Sequence, residues 1–230
     1  MKTNKEYKNE ALAALKGNWA PAVLATLIYL VIVCVLSGST ELPRLLGKMA
    51  SENNIWLEGI NKLSSILILS PLAVGFSNAM RFLYERRDIA LTRNMFEIPL
   101  KDYVRITWGM LLMTIKIILW TLLLIVPGIL KTFSYAMTPY ILVDNPELSA
   151  SEAIHKSSEM MDGHRFDLFY LYLSFIGWFL LACLTCGIGF FWLQPYVENS
   201  VAAFYNDLKA SYGETVVEDQ IVHEATIVSE

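Results

Sequence analysis

Apolar runs long enough to cross a bilayer recur along this chain, and they leave few folds open. A spanning helix needs about 20 mostly apolar residues, and several runs reach or approach that length. In lipid the backbone must satisfy its own polar groups, so runs of this length read as helices. Composition agrees where it is needed: 55% of residues are hydrophobic and 17% charged, against about 25% charged in a soluble domain. The chain therefore reads as an all-α, multi-pass membrane protein. Three cysteines without dense spacing give no disulfide framework. The first apolar run follows a polar helix, with no small-residue cleavage site, so no signal peptide is expected.

The chain opens on an amphipathic helix. Thr3 and Glu6 have capping-box spacing, Tyr7, Ala11, Leu12 and Leu15 share a face, and Gly17 ends it. Trp19 suits the headgroup layer and Pro21 can open a span. Six spans are predicted, over residues 19–36, 63–84, 104–126, 129–143, 166–184 and 188–205, in a single membrane domain covering 1–208. Residues 37–62 form the longest outer loop. Pro127-Gly128 is the expected break between the third and fourth spans. The alternative is one kinked span over 106–143, which gives five helices and an external C-terminus. The tail, 209–230, is acidic and solvated, with five acids and no Lys or Arg from Gly213 onward.

Charge orients this arrangement. Arg81, Arg86, Arg87, Arg93, Lys101 and Arg105 make the 81–105 connection the most basic of the connecting loops, so it falls in the cytoplasm with the lysine-rich N-terminus. A second amphipathic helix repeats the first. Ser149 and Glu152 have the same capping spacing, and Gly163 lies fourteen residues after its cap, as Gly17 does after Thr3. Each unit continues into an apolar helix and a returning helix with a proline, Pro71 or Pro195, followed eight positions later by Ala79 or Ala203. This reads as a parallel repeat flanking a central hairpin. It favours six spans with both termini cytoplasmic and both amphipathic helices lying on the inner surface.

The stretches LWTLLLIVPGILKTFSYAMTPYIL, DNPELSASEAIHKSSEMMDGHRFDLFYL and SFIGWFLLACLTCGIGFFWLQPY, with AAFYNDL after them, resemble bacterial integral membrane proteins catalogued as domain of unknown function 975. The resemblance runs from the N-terminal helix to Leu208. More distantly, the chain is similar to the membrane domain of some glycerophosphodiester phosphodiesterases. The resemblance implies a multi-pass helical fold in the bacterial inner membrane. It implies no activity and no catalytic residues.

Several residues stand out against the apolar background. Lys116 and Glu198 each fall about ten residues into a span, which puts both at roughly 15 Å depth. An intramembrane charge costs at least about 2.5 kcal/mol, so the two are expected to pair, with Asn199 as a hydrogen-bonding neighbour. The basic loop, Arg81, Arg86, Arg87 and Arg93, suits anionic phospholipid headgroups. Cys183 and Cys186 read as small packing residues, and His155 and His164 as solvated polar-face residues. Nothing reads as a nucleotide loop, a hydrolase nucleophile or a zinc motif, so no enzyme, cofactor or nucleic-acid partner is expected. Two function classes fit. One is a non-enzymatic organising or accessory protein acting on the lipid bilayer, a protein partner or a second copy of itself. The other is a small transporter or channel with Lys116 and Glu198 in a polar site.

Overall fold

The computed structural model describes residues 1–45, 55–85 and 90–228, and the regular structure among them is all helical, with the expected spans 129–143 and 166–184 each divided into two helices. The described helices are α1 (Asn4–Leu15), α2 (Trp19–Leu45), α3 (Ile55–Tyr84), α4 (Leu91–Lys101), α5 (Tyr103–Leu123), α6 (Ile125–Ser134), α7 (Thr138–Asp144), α8 (Ala150–Met160), α9 (Arg165–Leu173), α10 (Ile176–Leu184) and α11 (Phe190–Val228). Among the described residues, four helical stretches are long and apolar enough to cross a membrane: Trp19–Leu36, Leu67–Tyr84, Tyr103–Leu123 and Arg165–Leu184. The outer loop expected over 37–62 is shorter than that, because α2 and α3 both extend into it. The acidic tail also differs from expectation, since α11 runs on through it.

Both amphipathic helices start as their sequences dictate. Thr3 and Ser149 each accept from the amide three residues on, and Glu6 and Glu152 each reach back to the cap amide at 2.7 Å. Those hydrogen bonds to the cap residues hold both carboxyls below the usual glutamate range. Gly17 and Gly163 follow at φ +87 and +80, in the left-handed region, with nothing near enough to exclude a side chain. They are glycine for backbone reasons alone.

The apolar face of α1 is covered by protein. Tyr7, Ala11 and Leu15 are buried, and α1 packs chiefly along α11 and against α3. Tyr7 sets its ring edge-on to Phe204 at 5.5 Å and donates its hydroxyl to Asp207 at 2.6 Å. Lys8 donates to the Ser174 carbonyl, which the end of α9 leaves without a helical partner. The similar helix α8 packs elsewhere, on α5 and α7. Ser157 of α8 donates to the Ser134 carbonyl and accepts from the Met137 amide, satisfying the turn between α6 and α7.

Prolines decide the packing of α3. Pro71 has no amide to offer the carbonyl of Leu67 one turn back. Tyr103 donates its hydroxyl to that carbonyl at 3.1 Å, so the freed acceptor is satisfied from another helix. Pro99 frees the carbonyl of Met95 in the same way. That oxygen comes so close to Gly75 of α3 that an added Cβ would lie 2.0 Å from it. Only glycine permits this approach, and it lays α4 along α3. The basic 81–105 connection is thus largely a helix packed on its neighbour.

The central hairpin turns earlier than its Pro-Gly pair suggests. Leu124 is extended, at φ −157 and ψ 136, and separates α5 from α6. Pro127 lies in the first turn of α6, where a missing amide costs little. The chain then doubles back, with Gly128 lying directly on Thr121. Residues 106–143 are therefore two antiparallel arms and not one kinked helix. The returning arm is itself divided, into α6 and α7.

Candidate functional site

Three groups of polar side chains are set among the apolar helices. The first is a buried ion cluster. Arg81 of α3 is 1% exposed, and its guanidinium meets the Asp144 carboxylate at the end of α7 at 2.6 Å. The other Asp144 oxygen accepts from the Tyr205 hydroxyl at 2.9 Å and from Lys209 at 2.5 Å, both on α11. Tyr140 stacks on Tyr205 at 4.9 Å, and Arg81 lies over the Tyr205 ring at 5.4 Å. Burial alone would raise the Asp144 carboxyl, but the Arg81 bond and charge, then Lys209, hold it down to about 2. The cluster ties α3, α7 and α11 together. It also corrects the reading of Arg81 as a lipid-facing residue of the basic loop: in the last turn of α3, within the span expected over 63–84, it turns inward to Asp144.

The rest of the basic loop divides. Arg93 is 63% exposed and pairs along α4 with Glu97. Arg86 and Arg87 lie outside the described residues. Arg105 points inward and donates to the carbonyls of Leu142, Asn145 and Leu148. Those groups lie at and beyond the end of α7, where the helix has no amides left to offer, so Arg105 acts as its C-terminal cap.

The second group surrounds Glu198. Its carboxylate accepts from Gln194 at 3.2 Å and from Ser77, with Tyr29, Tyr140 and Tyr172 around it. No Lys or Arg among the described residues lies within ion-pair distance. Asn199 is buried and turned away from it, with its amide on the Pro195 carbonyl at 2.8 Å and near the Met80 sulfur. Lys116 and Glu198 are therefore not a pair. Counting residues from the helix ends assumed straight parallel spans; instead α5 presents Lys116 to α8, while α11 presents Glu198 to α3.

The third group is an open groove of about 370 Å³ among α5, α6 and α8. Lys116 and Lys131 line it from the hairpin, with His155, Glu159 and Asp162 opposite and Arg165 at the start of α9. The carboxylates there are engaged: Asp162 holds Arg165 at 3.0 Å, and Glu159 meets His155 at 3.4 Å and accepts from Tyr212. Lys131 sits over the rings of Trp120 and Tyr135 at 5.4 and 5.6 Å. Neither lysine has a carboxylate partner among the described residues. His164 lies apart, bonded to Asp167 at 3.0 Å.

The cysteine turn is exposed. Cys183 and Cys186 carry free, exposed thiols, as does Cys34, so they do not pack as interior residues. Cys186 and Gly187 both have positive φ in this turn. Gly189 lies so close to Ala182 that a Cβ there would sit 2.7 Å from its Cα.

The model of the family described as protein of unknown function (DUF975) matches residues 110–212. The chain resembles DUF975. The match takes in Glu198, Asp144 and every residue named above in the groove, while α1 to α4 and the first turns of α5 lie outside it. No curated protein and no solved structure matches the chain, and the similarity to the glycerophosphodiester phosphodiesterase membrane domain is without support among the matches.

Sequence reasoning missed Asp144, Tyr205, Lys209, Lys131 and Arg165. Asp144 was legible only as part of an Asp-Asn-Pro turn. Its position beside an apolar segment, with Arg81 in another, was the available signal for a buried pair.

Proposed function

We propose that this chain is a non-enzymatic membrane protein that organises or assists a membrane partner or the lipid around it. One observation carries the reading: Lys116 and Lys131, without a carboxylate partner among the described residues, line an open groove on the arms of a hairpin whose tip is exposed and apolar. Residues 122–126 at the hairpin tip are between 62% and 84% exposed, and the groove holding the two lysines is lined by the arms of the same hairpin and by α8. The hairpin presents an apolar surface to lipid or to another membrane segment, and the polar face of α8 supplies selectivity. We place the chain in the bacterial inner membrane with six spans, counting α6 with α7 as one and the first part of α11 as another, and with both termini cytoplasmic.

The test is native mass spectrometry of the full chain extracted gently from its own membrane, beside a Leu122→Ser/Ile125→Ser variant. A bound protein or lipid that the variant loses supports the reading. A bare chain or bare oligomer in both cases counts against it.

A second reading, a small transporter or channel, draws on Glu198, a carboxylate with polar and tyrosine neighbours and no cation. It predicts that the protein in liposomes passes protons or a cation, and that Glu198→Gln abolishes the flux. Equal flux in both would remove it.

A further inference from the structure

The groove does not stand alone. Arg165 also lines an apolar crevice of about 200 Å³, formed by Ile129, Leu130 and Phe133 of α6 with Phe166 and Phe169 of α9. Phe133 and Phe169 meet edge to face there at 5.8 Å. Groove and crevice therefore adjoin through one residue, one lined with cations and the other greasy. We propose that together they hold one anionic phospholipid, its phosphate between Lys116 and Lys131 and an acyl chain in the Phe133, Phe166 and Phe169 crevice. This rests on the reading of the protein as one that acts on lipid or a membrane partner, and it names the lipid and its seat.

Charge selects the occupant. Arg165 neutralises Asp162, while Glu159 keeps its charge beside His155 and Tyr212; with Lys116, Lys131 and Arg165 against two carboxylates the groove still carries a net positive charge toward an incoming phosphate. The rings of Trp120 and Tyr135 hold Lys131 by their negative faces, leaving its ammonium hydrogens for an acceptor. Lysine binds phosphate as a point charge, which suits a headgroup of variable orientation. The crevice excludes a hydrophilic phosphate ester as the preferred ligand, because only a chain fills an apolar slot. A separate cavity of about 360 Å³ beside Trp19, Trp178 and Trp192 is lined without any charged side chain. Lipid seated there is retained whatever its headgroup, so the discriminating quantity is headgroup preference.

The full-length protein in a neutral detergent is titrated with phosphatidylglycerol, phosphatidylcholine and glycerol 3-phosphate, and adducts are counted by native mass spectrometry. The expected result is one phosphatidylglycerol per chain, held about tenfold more tightly than phosphatidylcholine, two juxtaposed cations supplying the difference. Lys116→Gln/Lys131→Gln removes the preference, and Lys116→Arg/Lys131→Arg keeps it. Phe133→Ala/Phe169→Ala weakens phosphatidylglycerol while leaving the thermal transition within a few degrees. Equal retention of the two lipids by the wild type, or an undiminished preference in the Gln pair, overturns the proposal. Glycerol 3-phosphate binding as tightly as the lipid makes this a site for free phosphate esters and overturns it as well. A chain that keeps the preference yet brings no protein down from the membrane leaves the lipid site standing and removes only the partner half of the wider reading.

Discussion

Two sets of cations in this molecule sit among aromatic rings, and they have opposite fates. At Arg81 the charges are paired within the protein: Asp144 takes a guanidinium, a hydroxyl and an ammonium, and Glu85 stands 3.8 Å from the same guanidinium. At Lys116 and Lys131 the neighbouring carboxylates are already engaged and the ammonium groups face an open groove. The difference separates what stabilises a fold from what a fold can use. A buried charge whose partner is removed is costly, so the first set is locked. A half-exposed lysine bears no such penalty and stays available.

Breaking the locked set should have the largest effect. Arg81→Met leaves Asp144 near Lys209 and Tyr205 without its main counter-charge, and should cost about 3–5 kcal/mol in thermal or denaturant unfolding in detergent. Placing a methionine at Arg81 and a leucine at Asp144 together should recover a large part of that loss. If the double change is as unstable as the single one, the cluster is not a coupled unit. Acid should act on the same carboxylate. Its folded pKa is depressed, to about 2, so its contribution is present above the unfolded value near 4 and disappears as pH falls from there through about 2. Melting followed over that window should show about 2 kcal/mol lost from this group, and Asp144→Asn should flatten the slope.

Intermediate effects come from backbone approaches. Gly75→Ala drives a methyl into the Met95 carbonyl and should cost about 1–3 kcal/mol; an unchanged melting temperature would show that α4 does not lie against α3 as described. Tyr103→Phe strips the Leu67 carbonyl of its donor and should cost about 1 kcal/mol. The smallest effect belongs to the open groove. Lys116→Gln/Lys131→Gln should leave stability within about 0.5 kcal/mol while changing which lipid is retained. A large destabilisation there would erase the contrast between the two sets.

The same contrast explains what could be read from the chain. Caps and glycine stops were legible because they are local: Thr3 with Glu6, Ser149 with Glu152, and Gly17 and Gly163 need only a spacing and a backbone angle. The apolar runs at 19–36, 166–184 and most of 104–126 were legible because length and hydrophobicity suffice. Partners across helices were not. Arg81 counted as a loop charge because a census of cations cannot tell which way a side chain at a helix end turns. Lys116 and Glu198 looked matched because depth was counted along ideal spans, and depth says nothing of azimuth. The break at Leu124 was missed because a proline signals where a helix tolerates interruption, and this one lies inside the first turn of the next helix.

The bond from Tyr7 to Asp207 spans 200 positions of sequence, and it gives the molecule an order of assembly. Chains grow at about 5–20 residues per second, so α1 is finished about 10–40 s before the helix that covers it exists. Throughout that interval Tyr7, Ala11 and Leu15 need a temporary host, and the membrane surface is the nearest apolar one. Docking of α1 onto α11 therefore waits until α11 has been made.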